Sequence, residues 1–359
     1  MLPWRKVAPA DRLSWNSTKR DEGGYAFVTG VMMDRSSYNF DPVLSDFMFV
    51  PNGFALKKIK SSTPQDELQG IGPAEMKLKL QKLYEYEVGI LKRFGDSSQK
   101  HLIFLLVSFT LKQDLCFLFP HADCDLATYW FDVQQEPFPE IDYIKSNEDK
   151  YGILVLSDMG VSTFNRTVSR SKQPGRYVAQ IPGYHPPESV IAGGEVDRKF
   201  DIWSLGCVYL EMVVWGLGGR FLLHQFKEER TILEQFTPVQ TDVFYKIWID
   251  IYDSTRQVAM VKDEVTKWMW MMHSHTGCPP FIKNVLYTIW TKMLVVLGPN
   301  SSYKRASANE LGPIFEELSR LSDYDYQSRD SSSTMRREDL AAPEVEVEVA
   351  EDLRYHLRM

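Results

Sequence analysis

Apolar and polar positions change their period partway along the chain. Between residues 25 and 56 the runs YAFVTGVMM and FMFV alternate with turn-rich stretches such as DRSSYNFDP and PNG. Branched and aromatic side chains suit a pleated surface, and Pro, Asn and Gly interrupt it, so this segment predicts a small antiparallel sheet. Residues 74–94, AEMKLKLQKLYEYEVGILKRF, repeat their apolar positions every three to four residues without a proline and predict a helix. HLIFLLVSFT and DLCFLFP predict two more strands. Beyond Pro120 the period is mainly helical, over 125–131, 202–215, 221–235, 241–251, 260–272, 280–295 and 307–321. Strands first and helices afterwards predict an α+β fold, a sheet-rich lobe followed by a helix-rich one. Residues 1–20 read as an irregular lead-in. Residues 323–359, with SRDSSSTMRRED and PEVEVEVAED, read as an acidic, Ser-containing disordered tail. Within that tail only VEVEVAE has the period of an edge strand.

Composition narrows the choice of partner. A net charge of −7 lacks the basic footprint of a nucleic-acid binder. The run IWSLGCVYLEMVVWGLGG, residues 202–219, approaches a membrane span in length, but Glu211 sits in its middle and glycines end it. A buried core helix is the expectation, with no membrane partner. The N-terminus lacks the apolar core of a signal peptide. Cys116, Cys124, Cys207 and Cys278 are few and widely spaced, which suits reduced thiols in the cytoplasm or nucleus.

The candidate chemistry starts at VLSDMGVSTF, residues 155–164, an apolar strand running into Asp158-x-Gly160. Alone this is ordinary turn chemistry. Upstream, FALKK puts Lys57 at the end of a strand, and Glu87 lies thirty residues on, in the 74–94 helix. Downstream come YHPPES (184–189), FDIWSLGC (200–207) and YKRASANEL (303–311). Taken singly, Lys57, Glu87, Glu188 and Arg305 read as solvated surface charges; their order and neighbours change that reading.

In that order the motifs resemble the eukaryotic protein-kinase family, Ser/Thr type, and in particular its divergent fungal members, over residues 20–322. The resemblance implies a two-lobed fold, with the N-lobe at 21–120 and a mainly helical C-lobe at 121–322. It also implies ATP and Mg²⁺ as cofactors and a protein substrate or protein partner. Lys57 matches the lysine on the α- and β-phosphates, and Glu87 the glutamate that aims it. Asp158 matches the Mg²⁺-binding aspartate, with Met159 in place of the usual Phe. Gly23, Tyr25 and Val28 match the glycine-rich loop, in which Asp21 and Ala26 replace two of the family's glycines. Ala55 lies in the adenine site, Leu118 at the back of the pocket, and Phe119 to Ala122, including His121, form the hinge. Glu188 and Arg305 match a buried ion pair. Asp201 matches an aspartate that caps the central helix and holds the catalytic loop.

One part of the pattern is missing. No His-Arg-Asp or His-Gly-Asp occurs anywhere in the chain. Only 32 residues lie between Asp125 and Asp158. A lobe-crossing helix, the catalytic loop and two strands need roughly 50. The C-lobe is therefore shortened between 127 and 157, by a helix and the catalytic loop. Asp142 and Asn147 in DYIKSN have the separation of a base and a second metal ligand. However, PFPEI precedes them and Lys145 stands one position late, so an acidic surface loop is the alternative reading. Without the loop nothing accepts the substrate's hydroxyl proton. The implied function is a weak or inactive Ser/Thr kinase, or a pseudokinase acting as an interaction or allosteric module.

Overall fold

The computed structural model describes residues 4–6, 26–34, 53–59, 72–94, 101–111, 114–133, 154–157, 173–174, 183–191, 194–233, 240–249, 257–297 and 304–330. The chain divides into two compact units. The first comprises Met1–Tyr129 and Ile144–Phe164, the second Trp130–Tyr143 and Asn165–Met359. The fold is mixed α+β, with an antiparallel N-terminal sheet and a mainly helical remainder, and is compatible with a kinase fold.

In the first unit, strands β1 (Trp4–Lys6), β2 (Ala26–Met33), β3 (Phe54–Ile59), β4 (Val107–Leu111) and β5 (Asp114–Pro120) form one sheet in the order β1-β2-β3-β5-β4. The expected irregular lead-in thus contains a strand, which pairs Trp4 with Met33 and Lys6 with Val31. Gly53 enters β3 at φ 132°, where a Cβ would meet the Val31 carbonyl at 2.9 Å, so only glycine fits that turn. Register divides the sheet into two faces. Val28, Gly30, Ala55, Lys57, Phe117 and Phe119 pair across the strands and share one face. Val31, Phe54, Leu56, Cys116 and Leu118 pack with Phe104 on the other.

Helix α1 (Pro73–Phe94) lies against the Lys57 face. Pro73 at its first position, Glu75 in the first turn and Lys92 and Arg93 in the last all suit a helix and its dipole. Its stripe of Leu80, Tyr84, Val88 and Leu91 meets Ile59, Phe117 and Phe119, and Tyr84 stands 5.0 Å from Phe117, ring to ring. Leu156, in the strand expected to run into Asp158, makes a parallel bridge to Leu102.

The second unit is built around α2 (Phe200–Arg230), predicted as two helices, 202–215 and 221–235. The expected break between them is present: Gly219 takes non-helical dihedrals (φ 63°, ψ −164°), so two helical segments meet there at a kink. By length and composition α2 would cross a membrane, yet half of its apolar window is buried inside the unit. Gly206 lets α2 approach closely, since a Cβ there would meet that of Met293 at 2.9 Å. Strands β6 (Tyr245–Ile249) and β7 (Gln257–Val261) pair as a ladder where a helix over 241–251 was expected. Every residue from Tyr245 to Ile249 pairs with one from Val261 to Gln257, with Tyr245 and Ile247 on one face and Lys246 and Trp248 on the other. Helices α3 (Asp263–His273), α4 (Pro280–Thr288, continued by a π turn to Met293) and α5 (Ala308–Asp330) complete the unit. Helix α5 runs past residue 323, where the tail was expected to begin.

Candidate functional site

Glu87 occupies a core-facing position of α1, between Tyr84 and Leu91, and is 7% exposed. A carboxylate there must be paired, because leaving it uncompensated costs several kcal/mol. Its partner comes from β3. Lys57 Nζ donates to Glu87 Oε1 at 2.7 Å, with side-chain exposures of 14% and 9%. The alternation of β3 puts Leu56 into the core on one face and aims Lys57 towards α1 on the other. Val28, directly across from Lys57, is 42% exposed. Ala55 is two residues along the same face. An ammonium that donates to a buried carboxylate beside an exposed valine is suited to an anionic ligand with an apolar part.

Leu118 lies elsewhere. Opposite Leu56 in the register, it sits on the face turned away from Lys57, packed with Val31 and Phe54. Phe119, opposite Ala55, is the β5 residue on the Lys57 face. The sequence expectation is off by one residue, and in a strand one residue exchanges the faces. The His121 amide donates to the Gly53 carbonyl at 3.4 Å, tying the segment after β5 to the start of β3. Gly23, Tyr25, Asp142, Asn147 and Asp158 lie outside the described residues. Among the described residues no group of three His, Cys, Asp or Glu side chains would hold a metal.

The second unit brings Glu188 and Arg305 together. Arg305 is fully buried and donates to both carboxylate oxygens of Glu188, at 2.6 and 3.1 Å. Its Nε and Nη2 also reach the Val295 carbonyl at 3.0 and 2.8 Å, and Nη1 reaches that of Lys199 at 3.0 Å. The guanidinium lies 5.0 Å over the Trp203 ring. Gly194 permits this packing, because a Cβ there would fall 2.1 Å from the Glu188 carbonyl oxygen.

Asp201 departs from its expected role. The N-cap of α2 is Lys199, with no side-chain cap bond, and Asp201 sits exposed in the first turn. Placed inside the helix rather than at its cap, the carboxylate does not bond the end amides, and partial desolvation pushes its pKa up.

A second buried network escaped the sequence reading. Arg230 Nη2 donates to Glu211 Oε1, and Tyr184 Oη donates to Glu211 Oε2 at 2.8 Å. Arg230 Nε reaches the Asp242 carbonyl at 2.9 Å, and its guanidinium stacks 4.6 and 4.3 Å from the Phe226 and Phe244 rings. Burial, then the adjacent Glu211 charge, raises the Tyr184 hydroxyl far above its usual range. The signal was in the sequence: Glu211 interrupts an apolar helix, and a charge in that position requires a distant partner.

No family model matches the chain. Among curated proteins it is similar to Cyclin-dependent kinase-like 2 of Rattus norvegicus, 24% identical over 209 residues, which is 54% of this chain and 40% of that protein. It is also similar to Cyclin-dependent kinase-like 1 of Caenorhabditis elegans, 24% identical over 209 residues, 53% of this chain and 56% of that protein. Over 120 residues it is 26% identical to Cyclin-dependent kinase 9 of Bos taurus, covering 32% of this chain and 31% of that one. The chain thus spans well under two thirds of the length of these relatives. The likeness to these protein kinases is weak homology over part of each chain.

Proposed function

We propose that this chain binds Mg-ATP in a kinase-type site and is at best a slow Ser/Thr phosphotransferase. The observation that carries the reading is the buried Lys57–Glu87 pair on the sheet face that also presents Val28 and Ala55. Lys57 would hold the α- and β-phosphates, and Glu87, anchored in α1, would keep the ammonium aimed. Val28 and Ala55 would lie on the adenine ring, with Phe119, in place of Leu118, behind it. Backbone groups of Phe119 to Ala122 would meet the edge of the base. Gly23 and Tyr25 would belong to the loop over the phosphates. Asp158 would supply the hard oxygen ligand for Mg²⁺, whose chemistry is to neutralise charge on the transferring phosphate.

The weakness of the activity follows from what the sequence lacks. With no His-x-Asp loop, no placed base accepts the hydroxyl proton, a deficit of roughly 10²–10⁴ in rate. Asp142 and Asn147 are the only replacements the spacing offers. A second reading, a pseudokinase that binds partners rather than turning over, rests on that same missing segment. In either reading the chain acts on protein, in the cytoplasm or nucleus, with neither nucleic acid nor membrane as partner.

Thermal shift with Mg-ATP tests nucleotide binding. The expected result is stabilisation of the wild type that disappears in Lys57→Met and Asp158→Ala. A shift that survives both changes, or none in the wild type, overturns the site. A phosphotransfer assay on a generic protein substrate then separates the slow enzyme from the pseudokinase.

A further inference from the structure

We infer that the second unit carries a binding site for a phosphorylated small molecule, in the cavity between the start of α2, the π turn after α4 and the residues leading into α5. The inference is independent of the nucleotide site proposed above. The cavity has a volume of about 660 Å³, and Lys199, Lys292, Lys304, Arg305 and Glu310 line it. That volume is in the range of small-molecule sites, roughly 300–1,000 Å³.

The charge around the cavity is compensated only in part, by Glu310, which lies within electrostatic reach of Lys199 and Lys292. Arg305 is spent on Glu188. The Glu310 carboxylate is committed to the start of α5, accepting from the Ser307 amide at 2.6 Å and from its hydroxyl at 2.7 Å. Among the described residues no carboxylate pairs with the ammonium of Lys199, Lys292 or Lys304. Three ammoniums face one engaged carboxylate.

Backbone anchoring marks this as a built arrangement. Lys199 leads into α2, where the Asp197 carboxylate accepts from its amide at 2.7 Å and so fixes its backbone. Arg305 Nη1 bonds the Lys199 carbonyl, the Ala306 amide bonds the Lys292 carbonyl at 2.8 Å, and Lys304 directly precedes Arg305. These bonds hold the backbone of Lys199 and Lys292 beside that of Lys304 around one space. Lysines act as compact point charges, and several of them around a pocket suit a phosphoryl dianion better than a planar carboxylate. The space exceeds what one phosphate fills, so the group would be carried on a larger molecule.

Isothermal titration of the full chain with inositol hexakisphosphate at low salt tests this, with inorganic phosphate and a phosphoserine peptide as further arms. The expected result is saturable one-to-one binding that weakens with salt. The dissociation constant should rise at least tenfold in Lys199→Gln/Lys292→Gln/Lys304→Gln and stay unchanged in Lys57→Met. Lys304→Glu, a single exposed change, should weaken binding several-fold without moving the melting temperature of the free protein. Absence of saturable binding overturns the inference, as does equal affinity in the triple variant or loss of binding in Lys57→Met. Lysine-dependent binding of the phosphoserine peptide but not of inositol hexakisphosphate also overturns it, by making the ligand a phosphorylated protein.

Discussion

Removing Arg305 should unfold the second unit at a much lower temperature. The side chain is fully buried and makes five hydrogen bonds: two to Glu188, two to the Val295 carbonyl and one to that of Lys199. Arg305→Ala strands a carboxylate that is 5% exposed, removes both bonds to the Val295 carbonyl and leaves a void beneath the Trp203 ring. Breaking a buried pair from one side costs about 3–5 kcal/mol. For a unit of roughly 200 residues each kcal/mol moves the midpoint by about 2–4 °C, so the expected fall is about 6–20 °C. Glu188→Gln should cost less, because the amide keeps the volume and one acceptor while Val295 and Lys199 still hold the guanidinium. Thermal unfolding followed by circular dichroism, with urea melts at 25 °C, gives both numbers. The Arg305→Ala/Glu188→Gln double variant closes the cycle and should lose less than the sum of the singles. If Arg305→Ala loses under 1 kcal/mol, or the double variant loses the full sum, the pair does not hold this unit together.

Three further outcomes are expected. Gly89→Ala, at an exposed position of α1 with nothing within 4 Å of the new methyl, should stabilise the protein by about 0.5–1 kcal/mol in urea melts. Asp201→Asn should be no less stable than wild type at pH 7. The folded carboxyl's pKa is raised, so Asp201 loses stability as pH rises through the window between the ordinary and folded values. The difference should vanish well below pH 4, and a variant less stable at pH 7 would show that Asp201 does cap. Of the described thiols, Cys116, Cys207 and Cys278 are buried, with Cys278 raised to about 11, so Cys124 should be the first to react with a thiol reagent in the native protein.

The elements legible in the sequence were those with one strong period and local signals. Helix α1 was readable because Leu80, Tyr84, Val88 and Leu91 fall on one stripe, and β2 because the branched and aromatic residues of AFVTGV precede a turn-rich stretch. The hairpin of β6 and β7 was misread because Tyr245, Ile247 and Trp248 are apolar on both faces, which hides a period of two. Leu118 and Phe119 show a deeper limit: both are apolar and buried, and only cross-strand register tells which one shares a face with Lys57. Glu188 and Arg305 stand 117 residues apart, so nothing local pairs them, and only the order of motifs suggested a contact. Glu211 was seen as a charge in an apolar helix, but its partner Arg230 lies 19 residues on, past the Gly219 kink, where a separate helix was expected.

The Lys57–Glu87 pair differs in kind from the two arginine networks. Arg305 bonds the backbone carbonyls of Val295 and Lys199, and Arg230 that of Asp242, so apolar replacements would remove those donors. Lys57 donates to the Glu87 carboxylate at 2.7 Å, on a face where Ile59, Phe117 and Phe119 already supply apolar packing. At such a position two apolar side chains of similar volume are as stable as an ion pair, or more stable by about 1–4 kcal/mol. Packing alone does not explain the pair, and the proposed nucleotide site would give the ammonium a use. This reasoning predicts that Lys57→Met/Glu87→Leu will melt no lower than wild type and will lose the Mg-ATP shift entirely. Lys57→Met alone, which strands Glu87, should melt lower than the double variant. Chemical denaturation with and without Mg-ATP reads all three. A double variant destabilised by more than about 2 kcal/mol would make the pair a structural clamp and remove the argument for a nucleotide.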